Sequence, residues 1–129
     1  MSEAKATITR VVTDCQVAAV GSDETFALTT VPKGSRVLLA QVQCLTSAAG
    51  STDSTWWVGD AGDPDGIIQS LDTEQTAAAW VGITTAAYML TSGGKLYNAD
   101  TVVNCYYTQG ATDGATAPKL RVVLWIGTP

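Results

Sequence analysis

The segment Arg36–Leu45, RVLLAQVQCL, indicates the fold most directly, because its apolar and polar residues alternate over Ala40, Gln41, Val42, Gln43 and Cys44. Successive side chains of a β-strand point to opposite faces, so a period of two is typical of a strand and not of a helix. Strand-forming runs recur along the chain, as in TVVNCYYTQ (Thr101–Gln109) and KLRVVLWIG (Lys119–Gly127). The last run is nearly all apolar, which predicts a central strand covered on both faces.

Clusters of Gly, Pro, Asp, Asn and Ser separate these runs at fairly even intervals. Many short strands with such turns predict an all-β fold, a single-domain antiparallel β-sandwich of jelly-roll-like type. We expect this domain to span residues 7–129, behind a flexible N-terminal arm at residues 1–6. At most one short helix is expected, at Asp72–Gly82, which has an acidic first turn and a terminal Gly. The other predicted strands are Thr7–Val12, Gln16–Val20, Thr25–Thr30, Thr55–Val58, Ile67–Leu71 and Val81–Leu90.

The chain is acidic but carries little charge. Charged residues make up 15% of its 129 residues, the net charge is −5 and the pI is near 4.3. The seven basic residues are scattered, whereas nucleic-acid binding usually requires a basic patch. The N-terminal MSEAKATITR lacks the apolar core of a signal peptide, and no apolar run approaches the roughly 20 residues of a membrane span. We therefore expect neither nucleic acid nor membrane as a partner, and the weakly charged surface favours contact with other subunits.

The cysteines and the lack of histidine restrict the chemistry that is available. Cys15, Cys44 and Cys105 lie in apolar runs, and no two form a CxxC pair. We expect buried, reduced thiols in a protein assembled in a reducing cytoplasm. Without histidine, the commonest general base and the commonest transition-metal ligand are missing. Phosphate-binding and nucleophile-elbow motifs are absent as well, so we expect no enzyme and no catalytic or cofactor-binding residues.

The stretch WWVGDAGDPDGII (Trp56–Ile68) places Asp60, Asp63 and Asp65 within six residues. The favoured interpretation is a tight turn over DPDG, in which Pro presets φ, Gly66 takes positive φ and carboxylates accept hydrogen bonds from loop amides. A calcium site is the second interpretation, although the spacing departs from that of an EF-hand loop. A catalytic acid pair is the third, and an open loop does not favour it because it lacks an apolar pocket. We expect no cofactor, with calcium as the alternative.

Two aromatic pairs stand on predicted strands, Trp56-Trp57 and Tyr106-Tyr107. Strand neighbours point to opposite faces, so one ring of each pair should lie in the core and the other should face outward. An outward ring could anchor a subunit interface, where Trp and Tyr are enriched, or form a platform for a sugar. It could also be covered by the domain itself. We take these four residues as the candidate interface positions.

Several of these motifs together resemble small β-sandwich virion proteins of tailed bacteriophages. The residues that carry the resemblance are the VPKG turn at 31–34, the VGD and DPDG stretches within 58–66, the ADTV strand start at 99–102 and the closing KLRVVLWIG. They cover most of the chain from about residue 25 onward, and they are turn and strand patterns, not catalytic signatures.

The resemblance implies a structural virion protein, most specifically a capsid decoration (cement) protein. Such a protein would be a homo-oligomer, with a trimer favoured, on the outer surface of a shell built from the major capsid protein. It would be assembled in the cytoplasm of the host bacterium. A tail or fibre accessory protein and a carbohydrate-binding module that uses Trp56 or Trp57 are the alternatives.

Overall fold

The computed structural model describes residues 7–18, 23–46, 55–72, 80–81, 94–108 and 117–129. This part of the chain contains nine β-strands and no helix, so the predicted all-β class is confirmed. The candidate helix Asp72–Gly82 lies mostly outside the described residues, and its described positions, Asp72, Trp80 and Val81, belong to strands. Within the described ranges there is accordingly no helix that could cross a membrane.

The strand bounds agree with the sequence prediction in most of the chain. One difference is that β1 runs unbroken to Gln16, whereas the sequence predicts a new strand at Gln16–Val20. Of the predicted strand Val81–Leu90 only Val81 is described, and the predicted arm at 1–6 lies outside the described residues. The bounds are β1 Thr7–Gln16, β2 Glu24–Val31, β3 Arg36–Thr46, β4 Thr55–Asp60, β5 Asp63–Asp72, β6 Trp80–Val81, β7 Lys95–Leu96, β8 Thr101–Thr108 and β9 Lys119–Thr128.

The strands form two antiparallel sheets that face each other as a sandwich. The first sheet has the order β1-β9-β3, and the short strands β6 and β7 both pair with β3. The second sheet has the order β2-β8-β4-β5. The predicted central strand is confirmed, because β9 pairs with β1 on one side and β3 on the other. Each sheet therefore joins segments that are far apart in the sequence.

The core lies between the sheets and follows the strand period. On β3, Ala40, Val42 and Cys44 are buried while the residues between them are half-buried, as the alternation predicts. The second sheet adds the large rings of Trp56 and Tyr107, each 1% exposed. The largest fully buried side chains besides these two are Val17, Val31, Val37, Val42, Val58, Ile67, Val103, Leu120, Val122 and Leu124.

Two thiols meet across the core. Cys15 on β1 and Cys105 on β8 are both 0% exposed, and their thiols form a hydrogen bond between the two sheets. This bond and the burial of the sulfur raise the pKa of the Cys105 thiol well above its usual value, because both favour the neutral form. Neither these cysteines nor the buried Cys44 forms a disulfide, so the prediction of buried, reduced thiols is confirmed.

The VPKG turn joins β2 to β3 and positions β7. Gly34 has a φ of 84°, a left-handed conformation that glycine adopts without strain. The Ser35 amide donates to the Pro32 carbonyl at 3.0 Å, which closes the turn. Two further bonds join the turn to Tyr97, from the Gly34 amide to the Tyr97 carbonyl at 2.8 Å and from the Tyr97 amide to the Ser35 carbonyl at 3.0 Å. The turn thereby holds the segment that carries Lys95.

Candidate interaction surfaces

The aspartate cluster forms a tighter hairpin than the sequence predicts. Strand β4 ends at Asp60 and β5 begins at Asp63, so only Ala61 and Gly62 link the two strands. The predicted turn over DPDG is therefore wrong, since those four residues lie inside β5. The DPDG residues can lie in a strand because β5 is an edge strand of its sheet. An edge strand tolerates a proline, which has no N–H to donate.

Asp60 closes this hairpin through its side chain. Its Oδ1 accepts hydrogen bonds from the amides of Gly62 at 2.9 Å and Asp63 at 3.0 Å. The prediction that a carboxylate satisfies loop amides is thus confirmed at Asp60. The strands approach so closely here that a Cβ on Gly59 would collide with the backbone carbonyl oxygens of Asp63 and Pro64. Glycine at 59 is therefore required by the close approach of two backbones.

A lysine from the opposite sheet lies between two of the three aspartates. Lys95 Nζ is 3.3 Å from Asp63 Oδ2 and 3.6 Å from Asp60 Oδ2. The same ammonium group lies 5.6 Å from the centroid of the Tyr97 ring. Since β7 belongs to the first sheet and the hairpin to the second, this ion pair connects the two sheets. The lysine places a positive charge where the calcium interpretation expects a metal ion.

The predicted metal ligands Asp60, Asp63 and Asp65 are not brought together as a set. Asp65 is exposed, and the lysine contacts join only the other two. Nowhere in the described ranges do three or more acidic or thiol side chains form a group that could hold a metal ion. The geometry assigns Asp60 and Asp63 to a structural ion pair with Lys95, and calcium binding stays the untested alternative to the expectation of no cofactor.

The aromatic pairs divide between the core and the surface as the strand period predicts. Trp56 and Tyr107 are cross-strand partners in the core, with ring centroids 4.7 Å apart, and Phe26 stacks on Trp56 at 5.9 Å. Trp57 and Tyr106 are cross-strand partners on the opposite face, where both are half-buried. Of the four candidate interface positions, the two outward ones are therefore available for contact with a partner.

The outward rings line an open groove of about 340 Å³ on the second sheet. The Tyr106 hydroxyl accepts a hydrogen bond from Asn104 Nδ2 at 3.1 Å, which restrains the ring. The lining of the groove is mostly apolar, with one exposed carboxylate at Asp65. Such a surface fits an interface anchor or a sugar platform, the two outward roles predicted from the sequence. The residues that line it are Trp57, Pro64, Asp65, Tyr106 and Thr108.

A second groove, of about 350 Å³, lies on the outer face of the first sheet. Its apolar residues Ile8, Leu38 and Leu96 are 62%, 37% and 43% exposed, and Leu38 packs over Gly127. The sequence interpretation did not single out these residues. Simple alternation does not predict the exposure of Leu38, because Leu38 lies at the register shift between Val37 and Leu39 in the ladder of β3 with β9. Both outer faces of the sandwich thus present apolar groups.

Comparison with known proteins bears on the fold. No family model and no curated protein matches the sequence. A chain of the cyanophage Pam1 capsid asymmetric unit matches with a TM-score of 0.62 and 17% identity, over 96% of this chain and 85% of that chain. A chain of the acidic stable capsid structure of Helicobacter pylori bacteriophage KHP30 matches with a TM-score of 0.56 and 9% identity, over 97% and 93%. At these identities the similarity concerns the fold, and the resemblance to β-sandwich proteins of phage virions is confirmed at that level.

Proposed function

We propose that this chain is a non-enzymatic structural protein of a bacteriophage virion that decorates the outer surface of the capsid shell. The observation that carries the proposal is the fold, which chains of two phage capsid structures share over 96% and 97% of this chain. The lack of histidine supports a role in binding instead of catalysis. The low charge supports burial of the surface against other proteins.

The proposed mechanism is contact through the two outer faces of a rigid sandwich. The Trp57–Tyr106 groove would anchor one partner, since aromatic side chains in a groove supply large contact areas. The apolar groove around Leu38 on the opposite sheet would contact another. We propose that the protein forms an oligomer, with a trimer favoured, that binds the major capsid protein. The arm at residues 1–6 would add a contact with the shell, since terminal segments can fold on binding.

A binding experiment with capsid shells tests this function. Expanded shells lacking the protein are mixed with wild type, Trp57→Ala or Val102→Ala and sedimented together. Val102 is the matched control, because it is 46% exposed on β8 but does not line the aromatic groove. We expect wild type and the control to bind at regular lattice positions in images of the particles, and the Trp57 variant to bind at least tenfold more weakly. Wild-type protein that does not bind shells would refute the proposed function.

The arm is tested separately. Deletion of residues 1–6 should weaken attachment to the shell and leave the melting temperature of the isolated domain unchanged. Equal occupancy of the shell by the shortened and the full chain would contradict the role of the arm without affecting that of the aromatic groove.

A carbohydrate-binding module is the second candidate, because Trp57 and Tyr106 lie beside the exposed Asp65. Aromatic rings pack against the apolar face of a sugar, and a carboxylate accepts hydrogen bonds from its hydroxyls. A glycan array probed with wild type and Trp57→Ala, with and without a chelator, tests this candidate. A wild-type protein that binds no glycan would exclude it.

A further inference from the structure

Strand β1 is a long edge strand whose outer side has no strand partner among the described residues. It pairs with β9 alone, from Thr7↔Thr128 to Gln16↔Lys119, and this ladder contains no register shift. In an antiparallel strand the backbone N–H and C=O groups point alternately to the two sides. About half of these groups in β1 therefore point away from β9, toward a side that no described strand covers.

The other edges of the sandwich carry features that oppose strand pairing. On β2 the ladder shifts register between Ala27 and Thr29. On β5 the strand contains Pro64 and its ladder with β4 has two shifts. Strand β7, Lys95–Leu96, is two residues long. Bulges, proline and short length are known ways of protecting an edge from other chains, so β1 is the one described edge that combines full length with a regular ladder.

The outer face of β1 is self-complementary in charge. Ile8, Arg10, Val12, Asp14 and Gln16 are exposed and share one face, because they are every second residue of the strand. Arg10 and Asp14 lie two residues to either side of Val12, which is 47% exposed. If two copies of β1 align antiparallel about Val12, Arg10 of each copy lies directly opposite Asp14 of the other. Opposite charges in directly facing positions stabilise an antiparallel pair.

We propose that a second copy of this chain pairs with the β1 edge, antiparallel and with Val12 opposite Val12. The contact joins the first sheets of two protomers into one continuous sheet. It is symmetric about a twofold axis, so it is distinct from the threefold contact of a trimer and would join one trimer to another. This inference goes beyond the shell-binding role and does not depend on it.

The existing contacts of Arg10 and Asp14 are compatible with this arrangement. The Arg10 guanidinium lies 5.8 Å from the Trp125 ring centroid on β9. The Asp14 carboxylate accepts hydrogen bonds from Arg121 Nε at 2.7 Å and Nη2 at 3.1 Å. In the paired sheet, one row would run from Trp125 and Arg10 of one copy to Asp14 and Arg121 of the second copy. The carboxylate would then lie between two guanidinium groups, and the twofold axis produces this row twice.

Disulfide crosslinking tests the contact directly. Two Val12→Cys chains should form a disulfide-linked dimer under mild copper–phenanthroline oxidation, because their cysteines face each other. Val102→Cys is the matched control, since Val102 has nearly the same exposure, 46%, on the other sheet. The three native cysteines are buried, so they should form little disulfide-linked dimer themselves. We expect at least tenfold more dimer from the Val12 variant on non-reducing gels, and equal amounts from both variants would overturn the proposal.

A second pair of variants tests the register. In the proposed alignment Ile8 faces Gln16 of the second copy, whereas two copies of Ile8 lie about 27 Å apart along the strand at about 3.4 Å per residue. A mixture of Ile8→Cys and Gln16→Cys proteins should therefore crosslink, and neither protein should do so alone. Crosslinking of either variant with itself at the level of the mixture would overturn this register.

The charge pattern is tested in the Val12→Cys background. Adding Arg10→Glu places a glutamate opposite Asp14 of the second copy, and the twofold axis repeats this like-charge pair. Crosslinking should therefore fall roughly tenfold, because like charges in facing positions repel. Adding Lys33→Glu makes the same change of charge in the exposed turn after β2 and should leave crosslinking unchanged. An equal effect of the two changes would show that net charge, and not the facing pair, controls association.

Discussion

The neighbouring residues Trp56 and Trp57 should differ sharply in their effect on stability when each is replaced by alanine. Trp56 is 1% exposed between the sheets and contacts two rings, at centroid distances of 4.7 and 5.9 Å. Truncation of a buried tryptophan costs about 3–5 kcal/mol, because both burial and packing are lost. Each aromatic pair adds about 0.5–1.5 kcal/mol beyond burial, so we expect a value near the upper end, about 4–5 kcal/mol. Trp57 is half-buried on the outer face, and its replacement should cost about 1 kcal/mol.

Urea unfolding followed by far-ultraviolet circular dichroism measures both values, since this signal does not depend on which tryptophan remains. A domain of this size has a stability of about 5–15 kcal/mol. If Trp56→Ala is unfolded without urea, Trp56→Phe supplies a measurable smaller loss, with a midpoint below that of wild type. The slope of the transition should stay the same for the folded variants. A Trp57→Ala protein as unstable as Trp56→Ala would refute the assignment of these rings to opposite faces.

The remaining predictions concern the β4–β5 hairpin, its lysine and the exposed carboxylate of β1. Gly59→Ala should lower the stability by about 1–3 kcal/mol because its Cβ meets backbone carbonyls, whereas Gly62→Ala should cost less, since the nearest atom to its Cβ is a side-chain oxygen at 3.4 Å; chemical denaturation compares them. Lys95→Met should lower the free energy of unfolding by roughly 1–3 kcal/mol in the same denaturation assay, because the carboxylates of Asp60 and Asp63 lose their cation. Adding calcium to wild type should not shift its melting temperature, since the lysine already pairs with these carboxylates. The pKa of Asp14 is lowered, first by its hydrogen bond with Arg121. The contribution of Asp14 to the stability of the fold is therefore present above the usual pKa of 3.8 and is lost as the pH falls through the lowered pKa. The difference in melting temperature between wild type and Asp14→Asn should accordingly shrink in acid.

The strands were predictable because their signal is local. The run from Lys119 to Gly127 contains no polar interruption between Leu120 and Ile126 other than Arg121, and such a run belongs in the middle of a sheet. The division of Trp56 from Trp57 follows from the pleat of the strand alone. The same reasoning located the turn at Gly34, where the backbone conformation and the turn sequence agree.

Two features were not predictable because they depend on distant partners. The DPDG sequence has strong turn residues, but Pro64 and Gly66 lie on an edge strand, a position that the local sequence does not reveal. The pairing of β1 with β9 joins Thr7 to Thr128, and Lys95 contacts aspartates more than thirty residues away. Such contacts depend on how the sheets face each other, which no short motif encodes.

The buried pair Trp56 and Tyr107 also determines where the outward pair Trp57 and Tyr106 lies. Trp56 and Trp57 occupy adjacent positions of β4, and their partners Tyr107 and Tyr106 occupy adjacent positions of β8. A shift of β4 by one residue would move the buried ring to the surface and the outward ring into the core. The tight packing of Trp56 therefore fixes the register, and with it the position of Trp57 beside Tyr106, without any contribution from the outward rings. It follows that the outward positions can vary to suit a partner while the fold stays the same.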